Sequence, residues 1–367
     1  MLVALAIYAV SRLVVILGVE FADDVAAART GPEFWQAGDW WFQHLLRWDA
    51  GWYGEIASAG YQFNPDPSLA SSIVFFPLLP LLGHALAGAT GLGVGESLLV
   101  VANLAGLAAV GLLAALVTVR FGPFVAVRTA ALLSFFPTSV FFSSAYAESL
   151  ALALVLLAFL MLERDRLWLA ALASGLATAS RSVCAALVPI LMLHAAMARP
   201  LPMIRRTALV VATGIVAAGG LIAFVAWQAW AFGDPLAFAK GQEAWTGAMS
   251  FGARFTSALL GRPLRSLDYA SVLFLVFAGL VVVGERRLPW SWTVYAALVL
   301  LIPYVSLATG QAGMGSMPRF LLMAFPALVT LSLLLVGRPW LTGALLVAGT
   351  IKLFITTAMF SQWHWAG

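Results

Sequence analysis

Charge is scarce in this sequence. Asp, Glu, Lys and Arg make up 10% of its 367 residues against 62% hydrophobic. No fold hides that much apolar surface from water, so a soluble globular class is excluded and the solvent is a bilayer. Cysteine is nearly missing. Cys184 stands alone in an apolar stretch, which rules out an intrachain disulfide and any thiolate-built metal centre, and says nothing of redox compartment. Lysine is limited to Lys240 and Lys352, and a formal net charge of +4 is too small to point to nucleic acid. His44, His84, His194 and His364 fall at no metal-ligand spacing and no acid cluster joins them. No cofactor is expected, and a divalent cation would need residues gathered by the fold. There is no internal repeat, low-complexity tract or linker rich in Gly, Ser or Pro, so one membrane domain over 1–367 is expected.

What the sequence has in quantity is apolar runs near twenty residues, each long enough at about 1.5 Å per residue to cross about 30 Å of hydrocarbon. They predict an all-α polytopic bundle. Residues 2–19 lack a basic segment ahead of them and contain Arg12, so despite the small-residue run Ala26-Ala27-Ala28 they are read as a retained first helix, not a cleaved signal. Residues 71–90 carry Pro77, Pro80, Gly83 and His84, a poor sequence for an uninterrupted span. If they dip without crossing, Arg120, Arg128, Arg164, Arg166, Arg199, Arg205, Arg206, Arg286, Arg287 and Arg338 all face the cytoplasm, as the positive-inside tendency asks. Eleven spans follow, at about 2–19, 96–118, 124–142, 147–162, 167–180, 183–197, 207–232, 268–284, 290–309, 320–336 and 341–359. The protein is then a multi-pass component of the plasma membrane. Its outer connections are 20–95, 233–267 and 310–319.

Acids, aromatics and small residues crowd together at one place, Arg47 to Tyr61, reading RWDAGWYGEIASAGY. Trp48, Trp52, Ile56 and Ala59 recur at helical spacing, which predicts a short interfacial helix stopped by Gly60. Interfacial anchoring accounts for the tryptophans. It does not account for Asp49 between them, which is read either as a catalytic acid or as the partner of Arg47. Asp49 and Glu55 lie six residues apart, about 240° around such a helix, so they do not form a local carboxylate pair.

This run, followed by Phe75 to Leu82 (FFPLLPLL), resembles the signature of the PIG-V family, the GPI mannosyltransferase 2 type of membrane glycosyltransferase, and especially its prokaryotic members. Later segments agree: Ala145 to Ser149 (AYAES), Arg181-Ser182, Phe232 to Trp245 and Pro318-Arg319-Phe320. The chain departs from the family at Asn64, where members often carry an acid, with Asp66 nearby. The resemblance implies a GT-C helical bundle with interfacial helices in the first outer loop. It implies transfer of a sugar, mannose first, from a polyprenyl-phosphate donor to a lipid or glycolipid acceptor on the extracytoplasmic face. Asp49 matches the catalytic carboxylate. A single acid suits this chemistry, because phosphate leaves as an anion while the attacking hydroxyl must lose a proton. Displacement in one step inverts the anomeric carbon. Arg47, Trp48, Trp52, Tyr53, Glu55, Tyr61, Phe76, Pro77, Tyr146, Glu148, Arg181 and Arg319 are the residues expected to bind substrate.

Several of these carry an ordinary reading too. Arg181 and Arg319 sit at outer ends of apolar runs, where a guanidinium reaches a phosphate or simply snorkels. Glu148 is placed to cap a helix or to pair with Arg12. Asp234-Pro235 reads as an N-cap and first-turn proline opening a helix with Phe238, Gln242 and Trp245. Two other functions stay open: a GT-C enzyme with a different polyprenyl-phosphate sugar, and a transporter of lipid or lipid-linked sugar. A repeat-built transporter should show matched broken helices in two halves, and the sequence displays none.

Overall fold

The computed structural model describes residues 1–25, 41–64, 66, 69–197, 202–247, 250–261, 264, 267–307 and 314–365. The Ala26-Ala27-Ala28 run, Arg199 and residues 310–313 of the third outer connection lie outside them. The described residues are helical, without strands. Four helices are long and apolar enough to cross a bilayer: Leu2–Ala22, Val94–Phe121, Trp290–Leu307 and Pro339–Ser361. Leu78–Thr90, Pro123–Ser134, Glu148–Leu162, Leu167–Thr178, Ser182–Met197 and Tyr269–Gly284 are apolar but shorter. Helix length alone therefore does not establish eleven crossings.

Three expected spans are interrupted. The run at 124–142 is helical only to Ser134 and continues as a short 3-10 turn at Ser139–Phe142. Pro137 between them has no N–H to offer a continuing helix and would crowd the carbonyl of Leu133. The run at 207–232 bends by 64° between Met203–Ala217 and Gly219–Phe232, and the run at 320–336 by 77° between Met317–Met323 and Phe325–Leu334. Pro326, in the first turn of the last piece, is tolerated there and would break a helix running through it. These are the broken helices that the sequence did not display. The two sharply bent pairs, at 64° and 77°, both lie in the second half of the chain.

Leu2–Val25 packs against Pro339–Ser361, and Val94–Phe121 is the central helix, flanked by Glu148–Leu162, Pro123–Ser134 and Leu78–Thr90. Apolar burial gives no preference for helix over lipid inside a membrane, so association rests on close contact and polar bonds. Ser149 Oγ donates to the Ala102 carbonyl at 2.7 Å and Ser174 Oγ to Ala217 at 3.0 Å. At the crossing of Leu167–Thr178 with Gly219–Phe232, a Cβ on Gly220 would lie 2.3 Å from the Gly175 carbonyl oxygen. Only glycine lets the two backbones meet there.

Arg12 shows how a charge is kept inside such a bundle. Its guanidinium donates to the Ser134 and Ser139 carbonyls and to the hydroxyls of Ser11, Ser139 and Ser143, and lies over the Tyr8 ring. It does not pair with Glu148. Its bonds fasten the first helix to the Ser139–Phe142 turn beside the charged site described next.

Candidate active site

The 47–61 run folds as expected for most of its length. A helix spans Asp49–Ala59 and ends at Gly60, whose φ of +85° favours glycine. Its first residue is Asp49. Trp48 before it has φ 59°, a conformation costly for a bulky side chain. The Tyr146 hydroxyl accepts from the Asp49 N–H at 3.0 Å and donates to the Arg47 carbonyl at 3.3 Å. One hydroxyl thus closes the start of this helix, and the Ala145 N–H bonds the Leu45 carbonyl at 3.3 Å beside it.

Four charges from four parts of the chain converge here. Arg319 Nη1 bonds Asp49 Oδ2 at 2.5 Å, across 270 positions of sequence, and its Nε stands 3.3 Å from Glu148 Oε1. Arg181 Nη1 pairs with the same Glu148 oxygen. The cluster is balanced, two carboxylates against two guanidiniums, and it is graded in depth. The Glu148 side chain is 1% exposed, Arg319 10%, Arg181 13% and Asp49 17%. Asp49 is the member most open to a visitor. One carboxylate oxygen in the cluster, Glu148 Oε2, is buried without a hydrogen-bond partner among the described residues.

Neither ordinary reading of the acids holds. Asp49 pairs with Arg319, not Arg47, which instead lies over the Trp363 ring at 4.9 Å. Glu148 begins the Glu148–Leu162 helix but makes no cap bond, because its carboxylate turns to the arginines. Arg181 sits in extended backbone between Leu167–Thr178 and the turn at Ser182–Ala186, and Arg319 lies in the Met317–Phe320 turn just before the 77° bend. Both bends of chain present a guanidinium to the same acid.

The other expected residues form an aromatic wall beside this cluster. Trp52 stacks on Phe75 at 5.9 Å, and Tyr53 meets Phe75 at 5.2 Å and Tyr146 at 6.5 Å. Burial pushes the Tyr53 and Tyr146 phenols above their ordinary value, so both stay neutral donors. Tyr61 bonds the Phe75 carbonyl at 2.7 Å and packs on Trp227 at 4.9 Å, while Phe76 packs on Phe224 and Phe238. Pro77 precedes Leu78–Thr90, whose first N–H bonds the Ala179 carbonyl at 2.9 Å. Glu55 is not drawn into the cluster and makes no ion pair among the described residues. Partial burial raises its carboxyl above the ordinary value.

Asp234 accepts from the Leu236 N–H at 2.9 Å and pairs with Lys240 at 2.5 Å, while the helix itself begins at Ala237. The proposed cap is therefore a turn before the helix. Trp245 beyond it meets Trp52 at 6.3 Å and Phe75 at 6.2 Å.

Sequence reasoning missed three rings at the cluster. Phe141, Phe320 and Trp365 lie over the Arg319 guanidinium at 5.6, 5.6 and 5.1 Å. Phe141 had no signal of its own, and Phe320 stood in the Pro318-Arg319-Phe320 segment without a role assigned to it. Trp365 stands in a Trp-His-Trp triplet after the last apolar run, which reads as an ordinary interfacial anchor.

A profile of the mannosyltransferase family PIG-V matches residues 26–238, more than half of the chain. Among solved structures, ArnT from Cupriavidus metallidurans bound to undecaprenyl phosphate is similar at 17% identity and a TM-score of 0.52, with 94% of this chain covered. Its apo state gives 16%, 0.50 and 94%. The chain spans 62% and 61% of those proteins' lengths. Comparison with curated protein sequences finds no match.

Proposed function

This chain belongs to the PIG-V mannosyltransferase family and has an all-α GT-C fold, and from that premise we propose that it transfers mannose from a polyprenyl-phosphate donor to a hydroxyl of a lipid or glycolipid on the extracytoplasmic face of the membrane. The observation that carries this reading is the ion pair of Asp49 with Arg319, set in a balanced cluster with Glu148 and Arg181 in which Asp49 is the most exposed member.

Asp49 is the general base. As the acceptor oxygen attacks the anomeric carbon, its proton passes to an Asp49 carboxylate oxygen. The bond from that carbon to the phosphate oxygen breaks, and its electron pair leaves with polyprenyl phosphate. The anomeric centre inverts. Arg319, with Arg181 behind it, steadies the charge that grows on the departing phosphate. Arg319 is held by Asp49. An arriving phosphate competes for the guanidinium, so occupation of the donor site also frees the base. Glu148 balances both arginines and keeps them in place before the donor comes. Since the Arg319 guanidinium bridges Asp49 and Glu148, positive charge between the two acids is supplied by the chain itself, and we read no metal into the reaction. Tyr146 sets the start of the Asp49 helix, and the Trp52, Phe75 and Trp245 rings offer apolar faces to lipid or sugar.

The test is incubation of the purified protein with synthetic polyprenyl-phosphate mannose, in parallel with a pentose and a second hexose on the same carrier, and a panel of lipid and glycolipid acceptors. An α-mannosyl product from a β-linked donor, formed equally with a chelator present, is the expected result. Transfer of only another sugar would move the donor assignment within the same fold. Movement of a labelled lipid-linked sugar across proteoliposomes without any transfer would replace the reading with transport.

A further inference from the structure

Deepening the proposed function, and resting on it for the identity of the reaction, we propose that Trp365 is the positioning residue of the Asp49–Arg319 pair. One ring meets both Arg319 and the residue that precedes Asp49. Its centroid lies 5.1 Å from the Arg319 guanidinium carbon and 5.3 Å from the Trp48 ring, and Trp48 is the residue immediately before Asp49. No other aromatic side chain described over Arg319 also packs on Trp48.

The arrangement explains a local strain. Trp48 holds φ 59° and Trp363 holds φ 60°, conformations that bulky residues adopt only when surroundings over-determine them. The two rings face each other at 5.7 Å, and Trp365 meets Trp48 edge-on at 73°. Trp48 is thus fixed by a pair of indoles that come from beyond the last long helix. Gln362 anchors that segment by donating to the Ala22 carbonyl at 3.0 Å. A backbone twist at Trp48 is what turns Asp49 toward Arg319 at the first position of its helix. On the other side, the guanidinium is a flat cation already paired through Nη1 and Nε, and an aromatic face restrains its plane without consuming a donor. Trp365 therefore leaves Arg319 free to bind phosphate while preventing it from swinging away when the phosphate departs. The family match ends at residue 238, so nothing in that likeness assigns a role to this segment.

The experiment uses the full chain carrying Trp365→Ala, Trp365→Leu or Trp365→Phe, with two readouts. The first is transfer from polyprenyl-phosphate mannose. The groups facing Asp49 are Arg319 and Tyr146, with Glu148, Arg181 and Tyr53 behind them. Loosening Arg319 weakens its hold on the donor phosphate, so in Trp365→Ala and Trp365→Leu the loss should fall on donor KM more than on kcat. Donor KM should rise about tenfold or more, and Trp365→Phe, which keeps an aromatic face, should stay within a factor of about three of wild type. The second readout needs no activity: the rate of carbodiimide coupling of an amine to Asp49 at one fixed pH, followed by peptide mass. Coupling should be faster in the Ala and Leu variants, where Asp49 is released from Arg319, and match wild type in Phe. Trp365→Leu keeps apolar bulk, so it reports even where Trp365→Ala fails to fold. Leu behaving as wild type in the coupling assay would overturn the positioning role. Absence of transfer in the wild type, with the coupling pattern as expected, would count against the assigned reaction and leave the role of Trp365 standing.

Discussion

Asp49 and Glu148 both lean on Arg319, yet they differ in what a substrate can reach. Asp49 is 17% exposed and Glu148 1%. This difference separates the roles of two otherwise equivalent acids and predicts opposite phenotypes. Asp49→Asn should fold and bind donor but lose transfer by roughly 10²-fold to 10⁴-fold, the contribution of a positioned base. Activity within a few-fold of wild type in a single-turnover assay would remove Asp49 from the chemistry. Glu148→Gln strips the buried counter-charge from two arginines, so the loss should appear as stability, on the order of 3–5 kcal/mol, and as poor yield from the membrane. Arg319→Lys keeps a charge but loses the planar fork, and Arg319→Ala loses both. Affinity for a non-hydrolysable donor analogue should fall in that order, with acceptor affinity little moved. Equal donor affinity in wild type and the Ala variant would make Arg319 a tether for Asp49 only. At this scale the sequence exposed Asp49, because a carboxylate among interfacial tryptophans has no cheap explanation. It did not expose its partner, since no local pattern ties two residues 270 positions apart. Nor did it single out Trp365, whose surroundings are those of any interfacial aromatic.

Helices were legible where periodicity was local. The Asp49–Ala59 helix and its stop at Gly60 follow from the spacing of Trp48, Trp52, Ile56 and Ala59. The bend before Gly219 was hidden because hydropathy runs unbroken through it, whereas Pro326 marks the bend before Phe325 by the same chemistry that Pro137 shows after Ser134. Gly220 marks a close contact at the first bend. A methyl group there would fall 2.3 Å from the Gly175 carbonyl and 2.4 Å from the Ala179 nitrogen, both backbone atoms that cannot step aside. Gly220→Ala should therefore destabilise the protein by about 1–3 kcal/mol. Gly279, inside Tyr269–Gly284, has nothing near its missing Cβ. There the same change should be neutral or stabilising by up to about 1 kcal/mol. Thermal unfolding of the two variants in one detergent gives the comparison, and similar midpoints would mean that the bend at Ala218 does not depend on this close crossing.

The bundle has two chemically distinct ends. Glu148–Leu162 begins at the charged site and runs about 22 Å to the opposite end, where Arg120 pairs with Glu163 at 2.6 Å and Arg128 bonds the Ser332 carbonyl at 2.8 Å. Arg120 and Arg128, two of the arginines assigned to the cytoplasm by sequence, thus lie away from Asp49. The Leu78–Thr90 helix is about 20 Å long, short of a bilayer core of about 30 Å. Its place matters more than its length. Its first N–H bonds Ala179 near Arg181, and Gly83 rests on Leu98, while Ser149 meets the central helix only at Ala102. The helix therefore packs along the first turns of Val94–Phe121, next to the site. Cys184 is fully buried, so single cysteines can be read against a silent background. Cysteine at Asp66 or Gly93 should react in intact cells with an impermeant thiol reagent, and cysteine at Arg206 or Arg166 only after permeabilisation, all four positions being exposed. Labelling at Asp66 with protection at Gly93 would mean that Leu78–Thr90 spans, which would reverse the side assigned to every later helix and carry Glu148 to the face opposite Asp49. The ion pairs through Arg319 would then be impossible, so this one measurement bears on the site as well as on the topology.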